Sequence, residues 1–350
     1  MRWCGTGKTA SRARNWSGRC PGQLRTAMAE MPPEVSVVVP TYNRGHLVCA
    51  ALDSVQAQSF RNLEIIVIDD GSTDDTEARV RAWAETATLP VLYERQPNAG
   101  GNAARNRGID RARGHFVAFL DSDDLWHPNK IARQLARLAE TPAFGAVYCG
   151  LRETDAESGR VLAELRHDFP EGDLLNALLV RDVTAPTSTY LVRRQLLIEA
   201  GKFDLDLAAR QDWDMWIRLA RLAPIGCVPE VLVDLRHHAG PRTVSDPTRE
   251  LRAHRRILAK YAPLRARRGW WLPLAARAGF HRRAGRVQFH YQGRRGAAIR
   301  HYLTAIALWP LAADSWAALV GAFLPAGLRG RLRHGWNSIF GRTFLAIRNH

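Results

Sequence analysis

Between residues 35 and 150, short apolar runs of strand length alternate with longer segments of helical spacing. Val35–Val39 is a β-branched run that ends at Pro40. Leu63–Ile68 is continuously apolar, as a strand buried on both faces would be. His115–Leu120 is a third strong run, and Val91–Tyr93 and Ala146–Cys149 are weaker ones. Between them, residues 46–58 place Leu47, Ala51, Leu52 and Val55 on one helical face. Asp74–Ala84 opens with Asp and Thr, Ala99–Ala112 enters through small residues, and Pro128–Ala139 carries Pro where a helix has no N–H to lose. This alternation predicts an α/β fold with right-handed crossovers and a mostly parallel sheet covered by helices on both faces. From about residue 246 the pattern is helical only, with helices near 247–261, 271–292, 296–308 and 313–323.

Charge divides the chain more sharply than pattern does. The net +16 of the 350 residues splits into +5 over residues 1–30, −7 over 31–240 and +18 over 241–350. The middle is therefore an ordinary, slightly acidic domain, and the basic character sits at the two ends. Such ends suit a phosphate-bearing surface, although only four of the fifty basic residues are Lys, which also fits the coding bias of a GC-rich genome. Residues 1–30 read as a basic extension, disordered or not translated, with Met28 and Met31 as alternative starts just before the first strand. No apolar core of a secretory signal follows them. The five cysteines are odd in number, widely spaced and without Cys-x-x-Cys, which argues against a disulfide framework or zinc site and for a cytoplasmic location. The longest apolar stretch, Trp316–Leu328, has 13 residues and contains Pro325, too short for a bilayer that needs about 20.

Ligands of open α/β sheets bind beyond the carboxyl ends of the strands. Two acidic clusters fall there, Asp69-Asp70 and Asp121-Ser-Asp123-Asp124. Three carboxylates within four residues repel one another unless a cation neutralises them, and an extended segment puts Asp121 and Asp123 on one side. Hard oxygen ligands of this kind suit Mg²⁺ or Mn²⁺ completed by substrate phosphate and water. The plain structural reading is a solvated acidic turn or a helix cap. Gly5-Thr-Gly-Lys-Thr9 lacks the first Gly of a phosphate loop and has no strand before it, so it is not one.

Six motifs occur in order: Val35-Ser-Val-Val-Val-Pro-Thr-Tyr-Asn-Arg44, Glu64-Ile-Ile-Val-Ile-Asp-Asp-Gly-Ser-Thr-Asp74, Asn98-Ala-Gly-Gly-Asn-Ala-Ala-Arg-Asn106, Phe119-Leu-Asp-Ser-Asp-Asp-Leu-Trp126, Gly201-Lys-Phe-Asp204 and Gln211-Asp-Trp-Asp-Met-Trp216. Together they resemble the inverting family 2 glycosyltransferases of GT-A, Rossmann-like fold. The resemblance covers roughly residues 34–240 and implies a glycosyltransferase domain over 31–240, followed by a helical region over 241–350. It implies that Pro40, Thr41, Tyr42 and Asp70 line the nucleotide pocket. Asp121 would touch the ribose or the water shell of the metal, and Arg105 would lie near the donor phosphates or orient the acidic loop. Asp123 would bind Mg²⁺ or Mn²⁺, and His238, in a segment like the family's Tyr-Arg-x-His but with Leu235 in place of Tyr, would complete the shell or reach the diphosphate. Asp212 matches the catalytic base, with Gln211 where family members often carry Glu.

The implied partners are a nucleotide-sugar donor, UDP-linked by prior, and a glycan or lipid-linked acceptor used in cell-surface polysaccharide or glycolipid synthesis. A nucleotidyltransferase, or a family member that binds without turning over, would share the acidic clusters. Residues 265–350 interleave fifteen Arg with five Trp and hold one acid, Asp314. Helices of that composition can lie on an anionic membrane face, which would place the protein at the inner face of the membrane. Nucleic acid is not an expected partner, because the acidic strand ends would repel a phosphate backbone.

Overall fold

The computed structural model describes residues 32–165, 170–238 and 246–324. The basic extension over 1–30, the alternative start Met31, and the Arg and Trp residues beyond 324 lie outside the described residues.

The first half is β1 (Val35–Thr41), α1 (Gly45–Gln56), β2 (Leu63–Asp69), α2 (Thr76–Thr86), β3 (Val91–Arg95), α3 (Gly101–Arg111) and β4 (Phe116–Phe119). Strands β3, β2, β1 and β4 lie side by side and parallel. Every residue of β1 and β2 is buried, as their unbroken apolar runs require of strands covered on both faces. Full burial of each Val or Ile side chain contributes about 1.5–3 kcal/mol, so these two strands anchor the core.

Next come β5 (Leu125–Trp126), α4 (Lys130–Glu140), β6 (Ala146–Asp155), β7 (Val161–Leu165), α5 (Leu175–Val180), a 3₁₀ turn at Thr187–Thr189, β8 (Leu191–Arg193), α6 (Arg194–Glu199), α7 (Gln211–Ala220) and β9 (Ile225–His237). The sheet runs β3-β2-β1-β4-β8-β6-β9-β5, with β7 paired to β6. Here it departs from the expected mostly parallel sheet. β4 meets β8 antiparallel, β8 meets β6 antiparallel, β6 and β9 run parallel, and β9 meets β5 antiparallel. Strands of two or three residues leave no periodic signal. β9 is hidden for another reason: Pro229 and Glu230 interrupt its apolar pattern. The β6–β9 register shifts on either side of Gly150, and a Cβ there would sit 2.7 Å from the Glu230 carbonyl oxygen. Gly at 150 thus lets the irregular strand stay in the sheet.

The remaining elements are helices, α8 (Pro247–Lys260), α9 (Ala262–Arg268), α10 (Trp271–His290), α11 (Arg295–Leu308) and α12 (Ala313–Phe323). Ile257 and Tyr261 join the core of the sheet domain, and Arg265 donates to the Leu179 carbonyl at 2.6 Å. No helix among the described residues is long and apolar enough to cross a membrane. Cys49, Cys149 and Cys227 are free thiols.

Candidate active site

The carboxyl ends of β1, β2 and β4 present Thr41, Asp69-Asp70 and Asp121 on one edge. Thr41 is buried, and its hydroxyl has no hydrogen-bond partner among the described residues. A buried hydroxyl without a partner is uncommon and marks a place where a ligand can bond. Pro40 precedes it inside β1, and Tyr42 follows it, exposed.

The turn after β2 is built by its own polar side chains. Asp69 accepts from the Ser72 amide at 2.8 Å and from the Tyr93 hydroxyl at 2.7 Å. Gly71 has φ +83°, a conformation that residues with a Cβ rarely adopt. The Asn43 amide donates to the Ser72 hydroxyl and the Arg44 amide to that of Thr76, so this turn also supports the start of α1. Asp70 is turned the other way. Its carboxylate accepts from Gln96 Nε2 at 2.7 Å and from the Ala99 and Gly100 amides at 2.9 and 2.8 Å. It fixes the loop that leads into α3, and a carboxylate with about four acceptor positions retains room for one more donor.

Helix α3 joins three of the motifs. Asn102 donates to the carbonyls of Asp204 and Leu207 at 2.9 and 2.8 Å. Asn106 exchanges bonds with the Phe203 backbone at 2.9 and 2.8 Å. One turn between them, Arg105 is buried, pairs with Asp121 at 2.5 Å and lies 5.8 Å over the Phe203 ring. Arg105 thus rests on the first carboxylate of the acidic loop.

Beyond Asp121, the loop closes on the 3₁₀ turn and on the end of β9. The Asp121 amide donates to the Ser188 hydroxyl at 3.1 Å, and that hydroxyl donates to Asp124 at 2.6 Å. Burial, then the charges of Asp123 and Asp121, push the Asp124 carboxyl well above its ordinary range. Arg236 donates through Nε to the Asp123 carbonyl at 2.7 Å. His238 Nε2 lies 3.0 Å from Asp123 Oδ2. The two are within hydrogen-bond distance of each other, and a carboxylate and an imidazole are groups that could hold Mg²⁺ or Mn²⁺. Among the described residues no group of three or more His, Cys, Asp or Glu side chains is arranged to hold a metal. An ion here would therefore draw its other ligands from substrate oxygens and water.

Asp212 opens α7, with its carboxylate accepting from the Trp213 amide at 2.8 Å. Burial raises its pKa. The Trp213 amide and the guanidinium groups of Arg210 and Arg105 oppose that rise, while Asp121 adds to it. Asp212 thus lies within the electrostatic field of the Arg105–Asp121 pair, although 90 residues separate it from Asp121 in the chain. Helix α7 is held by a buried network under Asp214. That carboxylate accepts from Tyr261 and pairs with Lys260, both at 2.8 Å, and pairs with Arg218 at 2.9 Å.

Several residues of this edge had no signal in the sequence. Asp182, after α5, is pushed up to about 6, first by burial and then by the charge of Asp212, against the attraction of Arg210. Ser188 and Arg210 are likewise revealed only by folding. Ser188 lies in no motif and bonds the distant Asp121 and Asp124, while Arg210 stands just before the 211–216 motif, over the Trp213 ring.

The sequence profile described as Glycosyl transferase family 2 matches residues 36–199. The UDP-Glc:alpha-D-GlcNAc-diphosphoundecaprenol beta-1,3-glucosyltransferase WfgD of Escherichia coli is 38% identical over 197 residues, which are 55% of this chain and 73% of WfgD. The chain belongs to glycosyltransferase family 2. An uncharacterized glycosyltransferase of Rickettsia prowazekii is 32% identical over 215 residues, 60% of this chain and 66% of the relative. The chain spans as little as 32% of the length of the relative from Rickettsia bellii. Among solved structures, Staphylococcus aureus TarS 1-349 in complex with UDP-GlcNAc superposes with a TM-score of 0.56 at 19% identity, covering 86% of this chain and 92% of that one. The fold is therefore GT-A, a mixed sheet with flanking helices, followed by a helical C-terminal region.

Proposed function

We propose that the chain transfers a sugar, with inversion, from a nucleotide-diphosphate donor to an acceptor hydroxyl in the synthesis of a cell-surface polysaccharide or glycolipid. The observation that carries this reading is the convergence of Asp212, Arg105 and Asp121 on one electrostatic site, with the Asp123–His238 pair on the same acidic loop. The name of the E. coli relative specifies UDP-Glc, and the TarS structure holds UDP-GlcNAc, so UDP-sugars are the first donors to test.

In this reading Pro40, Thr41, Tyr42 and Asp70 receive the nucleotide, the unpartnered Thr41 hydroxyl supplying a bond. Arg105 holds Asp121 toward the donor. Asp123 and His238 would hold Mg²⁺ or Mn²⁺, which when bound offsets the charge of the diphosphate leaving group. Asp212 accepts the proton of the acceptor hydroxyl as its oxygen bonds to the anomeric carbon. The bond from that carbon to the donor diphosphate breaks on the opposite face. Burial strengthens Asp212 as a base by raising its pKa toward the working pH.

A lipid-linked acceptor fits the exposed face of the last described helix. Trp316, Val320 and Phe323 are exposed at helical spacing along α12, and Arg295 lies 5.5 Å over the Phe323 ring. An apolar ridge edged by this cation supports peripheral contact with the inner face of an anionic membrane.

The deciding experiment is nucleoside diphosphate release from a panel of nucleotide sugars with and without Mn²⁺ or Mg²⁺, for the wild type and Asp123→Ala. Metal-dependent release from one donor, lost in the variant, is expected. Donor binding by calorimetry in the wild type with equal affinity in Asp123→Ala would overturn the metal assignment. No donor binding at all would overturn the reading.

A further inference from the structure

The acidic loop is gripped by a turn that belongs to none of the six motifs. Thr187, Ser188 and Thr189 form the 3₁₀ turn before β8, and each of them is buried. Ser188 bonds the loop through both its side chain and its backbone. Its hydroxyl accepts from the Asp121 amide at 3.1 Å and donates to Asp124 Oδ2 at 2.6 Å, and its carbonyl accepts from Trp126 Nε1 at 2.9 Å. Asp121 and Asp124 stand on either side of Asp123 in the chain, so one hydroxyl spans the residue that meets His238. A satisfied buried network of this kind fixes its members in one arrangement.

The turn is itself anchored. Lys130, at the start of α4, is fully buried. Its ammonium lies 4.0 Å from the centre of the Trp126 ring and donates to Gln134 Oε1 at 2.9 Å. Gln134 Nε2 in turn donates to the Thr189 carbonyl at 2.7 Å. A cation over an indole face is attracted most strongly where water is excluded, so Lys130 fixes Trp126, which bonds Ser188, and Gln134, which bonds Thr189. Tyr190, next in the chain, stacks on Trp216 with ring centres 3.5 Å apart. Trp216 lies one turn along α7 from Asp212. A short anchored segment therefore touches the acidic loop with Ser188 and the helix of the base with Tyr190.

We infer that Ser188 is a positioning residue for the metal, acting through Asp121 and Asp124 without touching the ion. Its hydroxyl sets the loop so that Asp123 and His238 stand ready as a pair. Without it the carboxylates of the loop, which repel one another, separate, and an ion has to draw them together again. Groups that hold metal ligands in place typically change metal affinity or activity by about 10–100-fold. This role rests on the metal-dependent glycosyl-transfer reading above.

The test is Mn²⁺ titration of the full chain, with and without UDP, read as free Mn²⁺ by electron paramagnetic resonance. Two variants of the same turn are compared. Ser188→Ala removes the hydroxyl that grips the loop. Thr189→Val removes an equally buried hydroxyl, which donates to the Pro186 carbonyl at 2.7 Å and not to the loop. Ser188→Ala is expected to weaken Mn²⁺ at least about tenfold, and Thr189→Val to stay within about twofold of wild type, with both unfolding midpoints lowered. Ser188→Ala within about twofold of wild type would overturn the inference and leave the metal reading standing. Equal weakening in the two variants would overturn it as well, because it would mark a general loosening of the turn. Trp126→Phe keeps a ring over Lys130 and removes the bond to the Ser188 carbonyl, and it decides if Ser188→Ala does not fold. A loss of at least about threefold in Mn²⁺ affinity is expected there, and an unchanged affinity refutes the role. Wild type that binds no Mn²⁺, with or without UDP, would overturn the metal reading and the positioning role together. Ser188-dependent Mn²⁺ binding without nucleoside diphosphate release from any donor would uphold the role and sink glycosyl transfer.

Discussion

Replacing Asp182 by Asn should make the protein more stable at neutral pH and a poorer catalyst. The Asp182 carboxyl is pushed up to about 6 by burial and by Asp212, while an unfolded Asp ionises near 3.9. A raised carboxylate pKa favours the fold only while the group is protonated. That contribution is complete below about pH 4, falls as the pH rises toward 6 and is absent above it. At pH 7.5 the native state therefore carries an ionised, repelled carboxylate at a cost of roughly 2–3 kcal/mol. Asn keeps the oxygen that accepts from the Thr184 amide and hydroxyl, both at 3.3 Å, and removes the charge. Urea unfolding should show the variant more stable by about 2–3 kcal/mol at pH 7.5 and by less than about 1 kcal/mol at pH 4.5. The same change lowers the pKa of Asp212, so the acidic limb of the pH–rate profile should move to lower pH. A gain in stability of equal size at both pH values would refute the electrostatic account.

Asp212→Asn should bind donor normally and lose transfer by about 10²–10⁴-fold, read as nucleoside diphosphate release in the presence of acceptor; near-normal turnover would remove Asp212 from the mechanism. Arg105→Ala should leave Asp121 without its 2.5 Å partner and lower kcat more than it raises the donor KM, and an isolated KM effect would make Arg105 a donor contact instead. Tyr261→Phe removes the hydroxyl that bonds Asp214 at 2.8 Å and should cost about 1.5–3 kcal/mol in urea unfolding, because the acceptor is a buried charge. Trp316→Ser with Phe323→Ser should abolish flotation with anionic liposomes, and unchanged recovery would show that α12 is not the contact.

Much of this molecule is local in the chain. The runs at β1 and β2 are unbroken because both faces of those strands are buried, so pattern alone marks them. The motif residues Asp70, Arg105, Asp121 and Asp123 lie at strand ends or on the helix between strands, where short-range order suffices to place them. Apart from β6, whose start was read at Ala146–Cys149, the antiparallel half was not legible: β8 has three residues and β5 two, and Pro229 breaks the pattern of β9. Such strands exist because neighbours supply their hydrogen bonds, not because their own residues prefer to be extended. The same holds for chemistry. The sequence names Asp212 and Asp123, but the pairing of Asp123 with His238, 115 residues away, depends on β9 returning beside β5. The meeting of Asp182 with Asp212 depends on helices α5 and α7 packing together. Burial and charge at those meetings are sums over distant segments, and only the tertiary structure performs the sum.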